Sequence, residues 1–511
     1  MTIRHAGAAW LLTVPLLALS QSGWASYAFY VGKNLTENQA VIVGGTGEEV
    51  SSHWLEIVPA RDHAPDATVE VGVTAEASMP GELSEIPQVE HTFRYLSMSY
   101  SDYAGFPAPL TNGGVNEHQV AVRDVWATNR EALIDMTREP QRGPQYSDLA
   151  RLVLERATTA REGVELIGAL IAEHGYSTYG GNTHLIADPD EAWVVWEFAG
   201  SQGLWAAERL GPDEVRVLYP GYIEAFPVDF QQNPDYMGSD NLVSFAEEQG
   251  WFDPQRDETF NVFEIYGRQD TQARTGGYKY MTQAALEDAL REMAPVSERD
   301  MMTRVRDHRI TDDEAGYGQV VSLKHGVDSD LIRIWVAPTG SVAAPFLPWW
   351  LGVRSVPLEF AQHRYLTKGA ASNFLNPDFQ VQEGSDFAGR RFKQVLYLMC
   401  ERPERFHPQV TEVLEGFERD SFEDLGWVER AVQTLIAQEQ RDAAREMLTF
   451  YSHSRADAAM DLGETLVDWL YASLALRDGL RRPTGDEIND PGGETVNCLV
   501  DADPDKPQAA Q

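Results

Sequence analysis

The chain opens on an apolar run, "AAWLLTVPLLAL" from Ala8 to Leu19, behind Arg4 and His5 and ahead of the polar patch "SQSGWA". Gly23 and Ala25 put small residues three positions and one position ahead of a cut after Ala25. That layout predicts a secretory signal peptide over residues 1–25. The run is too short to serve well as a membrane span, and no later segment is apolar enough to span. The expectation is a mature protein that is periplasmic or secreted, with no stable membrane insertion after cleavage.

Past the cut, "SYAFYVGKNL" and "AVIVGGTG" predict two short strands joined through "TENQ", a hairpin. Helical spacing comes next. Ser147 can cap "DLARLVLERA". Thr159 with Glu162 makes a capping box for "AREGVELIGALIAEH", which Gly175 closes. Val164, Ile167, Leu170 and Ile171 recur on one face of that helix, a core stripe. Strand patterns return in "AWVVWEF" from Ala192, "LWAAERL" from Leu204, "VRVLY" from Val215 and "LIRIWVAP" from Leu331, with turn-type joints between the first three. Strands at both ends with helices between them predict a layered protein with mostly antiparallel sheets. Residues 385–480 read as helical, including "GRRFKQVLYLMC" and "REMLTFYSHS". The stretch 481–511, rich in Pro, Gly and Asp, reads as a disordered acidic tail. No internal repeat is found.

Composition narrows the function classes. The chain has 511 residues, 43% hydrophobic and 10% aromatic, enough to bury a real core. It carries 41 basic against 79 acidic side chains, a net charge of −38. Phosphate binding needs clustered Lys and Arg, so no nucleic-acid partner is expected. Cys400 and Cys498 are too few for a zinc cluster or a disulfide scaffold. They could pair in an oxidising compartment, but Cys498 lies in a polar tail, which argues against it. There is no Gly-x-Ser-x-Gly elbow, no His-Glu-x-x-His and no phosphate loop. "GGTGEE" at Gly44 lacks the lysine of such a loop and reads as a tight turn. His53, His118 and His184 are scattered and read as structural. No metal and no cofactor is expected.

Ser26 remains. Once Ala25 is removed, Ser26 carries a hydroxyl and a free α-amine. An α-amine has a pKa of roughly 7.7–8.0, so near neutral pH a useful fraction can accept the hydroxyl proton, directly or through water. One residue then supplies nucleophile and base, and no histidine is needed.

From Ser26 to about Lys368 the sequence resembles the dipeptidase-A/secernin family of N-terminal nucleophile hydrolases. The stretches that carry the resemblance are "SYAFYVGKNLT", "SSHWLEIVPA" at Ser51, "GGVNEHQVAV" at Gly113, "GNTHLIADPDEAWVVWEFAG" at Gly181, "WAAERLGPDEVRV" at Trp205, "IWVAPTGSVAAPFLPWWLGV" and "HRYLTKG". The resemblance implies an α+β fold, the four-layer αββα sandwich, over residues 26–384, with the helical region as a C-terminal appendage. It implies small peptide substrates, dipeptides above all, and an acyl-enzyme on the first residue of the mature chain. By position Ser26 is then nucleophile and base. Asn116 is a support for the nucleophile or the oxyanion hole, though a turn asparagine fits the same place. Glu48 is a candidate for binding the substrate's amino group or the Ser26 ammonium, though one exposed acid among many fits as well. Two departures stand out. The family usually begins with cysteine where this chain has Ser26. Relatives also tend to carry an arginine early in the next strand and an acid three positions on, and here those places are Gly45 and Glu48. The loss of that arginine leaves an acylase or amidase, or an inactive periplasmic binding protein, as alternatives to a dipeptidase.

Overall fold

The computed structural model describes residues 26–48, 53–102, 104–218, 223–268, 277–278, 281–309, 311, 315–362, 386–478 and 498–501. The expected signal peptide, "HRYLTKG" and most of the expected tail lie outside them.

Strand β1 (Ala28–Val31) turns back as β2 (Val41–Glu48), the expected hairpin. The chain continues through β3 (His53–Val58), β4 (Tyr95–Tyr100), β5 (Leu110–Asn116) and β6 (Ala121–Trp126). Helices α1 (Tyr146–Arg156) and α2 (Ala160–His174) follow. Then come β7 (Asn182–Ala187), β8 (Ala192–Glu197), β9 (Trp205–Leu210), β10 (Val215–Leu218) and β11 (Tyr236–Gly238). Helices α3 (Gln283–Glu292) and α4 (Glu298–Arg306) precede β12 (Ala315–Leu323), β13 (Arg333–Ala337) and β14 (Leu347–Trp350).

These strands form two antiparallel sheets. The first runs in the order β10-β1-β2-β12-β13-β14, the second β11-β9-β8-β7-β6-β5-β4-β3. The second sheet turns β6 towards β1 and β2 of the first. Helices α3 and α4 cover the far side of the first sheet, and α1 and α2 the far side of the second. The result is the helix–sheet–sheet–helix sandwich. Inner strands covered on both faces need apolar residues at successive positions, so β1, "AFYV", is buried throughout. The stripe Val164, Ile167, Leu170 and Ile171 meets Val122, Ile186, Trp193 and Val195 in the core between α2 and the second sheet.

Three local expectations change. "GGTG" is no turn: Gly44 to Gly47 lie inside β2. A Cβ at Gly44 would stand 2.7 Å from Met301 Cγ of α4, and one at Gly47 would run into the Tyr317 ring. The glycines let neighbours approach the strand closely. Helix α1 is capped by Gln145, not Ser147, because the Ser147 hydroxyl accepts the Thr111 amide of β5 at 2.6 Å. Thr159 caps α2, accepting from the Glu162 amide at 3.1 Å, but the Glu162 carboxylate returns to the Thr158 amide at 2.8 Å.

The helical region is α5 (Ala388–Cys400), α6 (Pro403–Ala437) and α7 (Arg441–Asp478), with α7 against β14. Its Phe392, Leu414 and Leu448 share one apolar cluster with Leu347 and Trp350 of the sandwich. Cys400 and Cys498 form a disulfide, against the expectation from the tail's polarity. A short helix, Cys498–Asp501, returns to α6 and brings the second sulfur to the end of α5.

Candidate active site

Ser26 is half-buried at the head of β1, and β1 lies inside the first sheet between β10 and β2. Pairing with β2 persists up to the neighbouring residue. The Tyr27 amide donates to Thr46 Oγ1 at 3.3 Å, and the Thr46 amide donates to the Tyr27 carbonyl at 3.0 Å. The start of the expected mature chain is therefore held in a sheet interior, as a nucleophile on rigid backbone requires.

Facing this strand end is Arg123 of β6, fully buried. Odd positions of β6 turn to the first sheet and even ones to α1, so Ala121 and Val125 share the inter-sheet core while Val120 and Val122 join the helix side. Arg123 Nη2 donates to the Thr46 carbonyl at 2.5 Å and Nη1 to the Asn112 carbonyl at 3.3 Å. Nη1 also donates to the Tyr317 hydroxyl of β12. Gln319, with its amide oxygen towards the arginine, accepts from Nη1 at 3.0 Å and Nε at 3.1 Å. Burial pushes the Tyr317 hydroxyl up to about 12, with Arg123 holding it partly back, so the phenol stays protonated around neutral pH.

Behind this cluster a polar chain crosses the second sheet. His53 Nε2 meets Asn112 Oδ1 at 2.7 Å, and Asn112 Nδ2 donates to Asp124 Oδ1 at 2.9 Å. Burial raises the Asp124 carboxyl above its ordinary range, with His184 and Arg123 pulling it back. His184 stands opposite Asp124 on β7, with Nδ1 2.7 Å from Glu197 and Nε2 3.0 Å from the Tyr146 carbonyl. Burial opposes its charge, but the Glu197 and Asp124 carboxylates outweigh burial and hold the imidazole above its usual range. The His53 and Tyr317 rings lie 5.1 Å apart.

Of the other expected residues, Asn116 falls apart from this cluster. Asn116 is fully buried at the far end of β5. Its amide donates to the Leu154 and Ala157 carbonyls at 3.1 and 2.8 Å and accepts from the His118 and Val120 amides, both at 3.0 Å. Those bonds close the β5–β6 turn and hold the end of α1. Glu48 ends β2 opposite Ala315. Sequence reading passed over Arg123, Tyr317, Gln319 and Asn112. Their one signal is "AVRDVW", an Arg-Asp pair within an apolar strand, since charges on a buried strand are rare unless they have a task.

Residues 82–293 match Peptidase family C69. The C69 segment includes Asn112, Asn116, Arg123, Asp124 and His184; Ser26, Glu48 and Tyr317 lie outside it. Among curated relatives, a probable dipeptidase B of Streptococcus pyogenes serotype M3 is 25% identical over 235 residues, covering 45% of this chain and 44% of that protein. The counterpart from serotype M6 is 26% identical over 238 residues, with the same coverage. The chain thus spans less than half the length of these relatives. Two crystal structures of variants of conjugated bile acid hydrolase from Clostridium perfringens, at 11% identity, cover 64% of this chain and 92% of theirs, with TM-scores of 0.32 and 0.31.

Proposed function

We propose that the chain is an exported amide hydrolase of the N-terminal nucleophile type, that dipeptides are its substrates, and that Ser26 carries the reaction once Ala25 is removed. The observation that carries this reading is the position of Ser26. It heads an interior strand of the αββα sandwich, in a chain whose middle matches a peptidase family. The C69 match and the dipeptidase relatives support peptide substrates. The Cys400–Cys498 disulfide supports an oxidising compartment, and with it export.

In this reading the Ser26 hydroxyl oxygen attacks the scissile carbonyl while the α-amine takes its proton. The carbon–nitrogen bond then breaks, the same proton passes to the leaving amine, and an ester remains on Ser26. Water hydrolyses that ester with the α-amine again as base. The residue ahead of Ser26 must be gone, because an amide nitrogen is not basic.

Two measurements test the reading. N-terminal sequencing of the exported protein is expected to begin at Ser26; any other start removes the nucleophile. Ser26→Ala is expected to abolish hydrolysis across a panel of dipeptides and N-acyl amides with an unchanged circular dichroism spectrum. Ser26→Cys keeps part of it. An active Ser26→Ala protein sinks the assignment, and N-acyl amides cleaved in place of dipeptides replace the substrate class.

A further inference from the structure

Arg123 is a guanidinium with no exposed surface. Among the described residues it makes no ion pair: its acceptors are the Thr46 and Asn112 carbonyls, the Tyr317 hydroxyl and the Gln319 amide oxygen. A buried cation held by neutral acceptors alone is expensive, and an apolar side chain would serve the packing better. Its presence calls for a use.

Its location indicates one. A Cβ built at Gly45 would collide with the Tyr27 carbonyl oxygen on one side and stand 3.2 Å from Arg123 Nε on the other. No side chain of β2 can occupy that place, and the guanidinium reaches it from the opposite sheet. Through Nη2 it grips the carbonyl of Thr46, which is bonded in both directions to Tyr27, the residue after Ser26. A positive charge at this point favours the uncharged form of a nearby α-amine and any negative charge that develops on the attacked carbonyl.

We propose that Arg123 is the positioning residue of the N-terminal nucleophile, supplying from the second sheet the fixed positive charge behind the Ser26 strand end. The inference rests on the reading of Ser26 as nucleophile. Among the described residues, the other titratable groups beside the cluster include Tyr317 from β12, His53 from β3, His184 from β7 and Asp124 from Arg123's own strand. Tyr317 stays neutral at working pH, and Asp124 lies on the helix side of β6, bonded to Asn112. Arg123 is the one that bonds the strand beside Tyr27.

The test uses the mature enzyme and compares pH profiles of dipeptide hydrolysis for the parent, Arg123→Met, Arg123→Lys and Gln319→Glu. Arg123→Met is expected to lower kcat by about 10²-fold with KM within a few-fold. It should also move the rising limb of kcat/KM to higher pH by about one unit. Arg123→Lys restores the limb and part of the rate. Gln319→Glu keeps the shape of the site but sets a carboxylate against the guanidinium, so it shifts the limb in the same direction even where Arg123→Met fails to fold. A parental limb in Gln319→Glu overturns the inference, as does a folded Arg123→Met with parental kcat. Ser26→Ala, run alongside, separates the two ideas. An inactive Ser26→Ala with a parental Arg123→Met refutes only the role of Arg123, whereas an active Ser26→Ala refutes the nucleophile beneath it.

Discussion

At the scale of the residue, Gly45 decides how close β1 can come to β2. The Tyr27 carbonyl oxygen and Arg123 Nε stand on either side of the place a Cβ would take, and the first is backbone that cannot swing away. Gly45→Ala is therefore expected to push β1 outward and destabilise the fold by about 1–3 kcal/mol. Because Ser26 rides on that strand, turnover should fall further than stability predicts. Denaturant unfolding alongside kcat checks this, and unchanged values for both would show that the strand pair has slack. Reading the sequence singled out Ser26 as a candidate, since that argument needs only an expected cleavage site and the chemistry of a terminal amine. It did not place Arg123. Nothing along the chain says that position 123 of one sheet meets position 45 of the other.

At the scale of the element, the C-terminal helices are tied down by charges that sequence periodicity does not show. Asp330, with a side chain closed to solvent, accepts from Arg94 at 2.8 Å and from Arg441 and Arg445 of α7 at 2.6 and 3.0 Å. Burial alone would raise its carboxyl; the bonds from Arg445, Arg441 and Arg94 outweigh burial and hold it below the usual range. A depressed folded pKa contributes stability that is present above the unfolded carboxylate value of about 3.9 and is lost as pH falls through the folded value. Asp330→Asn is therefore expected to be less stable than the parent at pH 7, with the gap closing towards pH 3. Unfolding curves of both proteins at the two pH values check this. A gap that stays constant would mean the carboxylate is not what the arginines hold. Arg306 and Glu418 make a second such tie, buried between α4 and α6, where Glu418 also accepts the Phe346 amide at 2.7 Å.

At the scale of the whole molecule, the disulfide joins positions 98 residues apart and closes the helical region on itself. Cross-linking a loop of that length removes chain entropy from the unfolded state, and native disulfides of this kind are typically worth about 2–4 kcal/mol. The double variant Cys400→Ser/Cys498→Ser is expected to unfold earlier by that amount and to keep its kcat below the melting range, because both sulfurs belong to the helical region, which packs against β14, four strands from β1 in the first sheet. Thiol titration of exported parent protein should find no free cysteine. Two titratable thiols would remove both the bridge and its support for an oxidising compartment.

Sequence alone determined what local chemistry can determine. Strands and helices follow from apolar spacing, as with "AWVVWE" and the stripe on α2, because period and burial are properties of neighbours along the chain. The candidate nucleophile follows from one expected cleavage site and the low pKa of an α-amine. Tertiary structure decided everything that depends on two distant segments meeting. "GGTG" became strand because Met301, the Tyr27 carbonyl and the Tyr317 ring need the room that a missing Cβ leaves. Ser147 gave up its cap because Thr111 of another strand took its hydroxyl. The cysteines were joined because a chain return brought the polar end of the sequence back to α5. Asn116 was occupied by a helix end 38 residues on, and an arginine from the facing sheet came to lie beside Gly45. Contacts of that kind are fixed by packing in three dimensions, where residues far apart in sequence compete for the same space and the same hydrogen bonds.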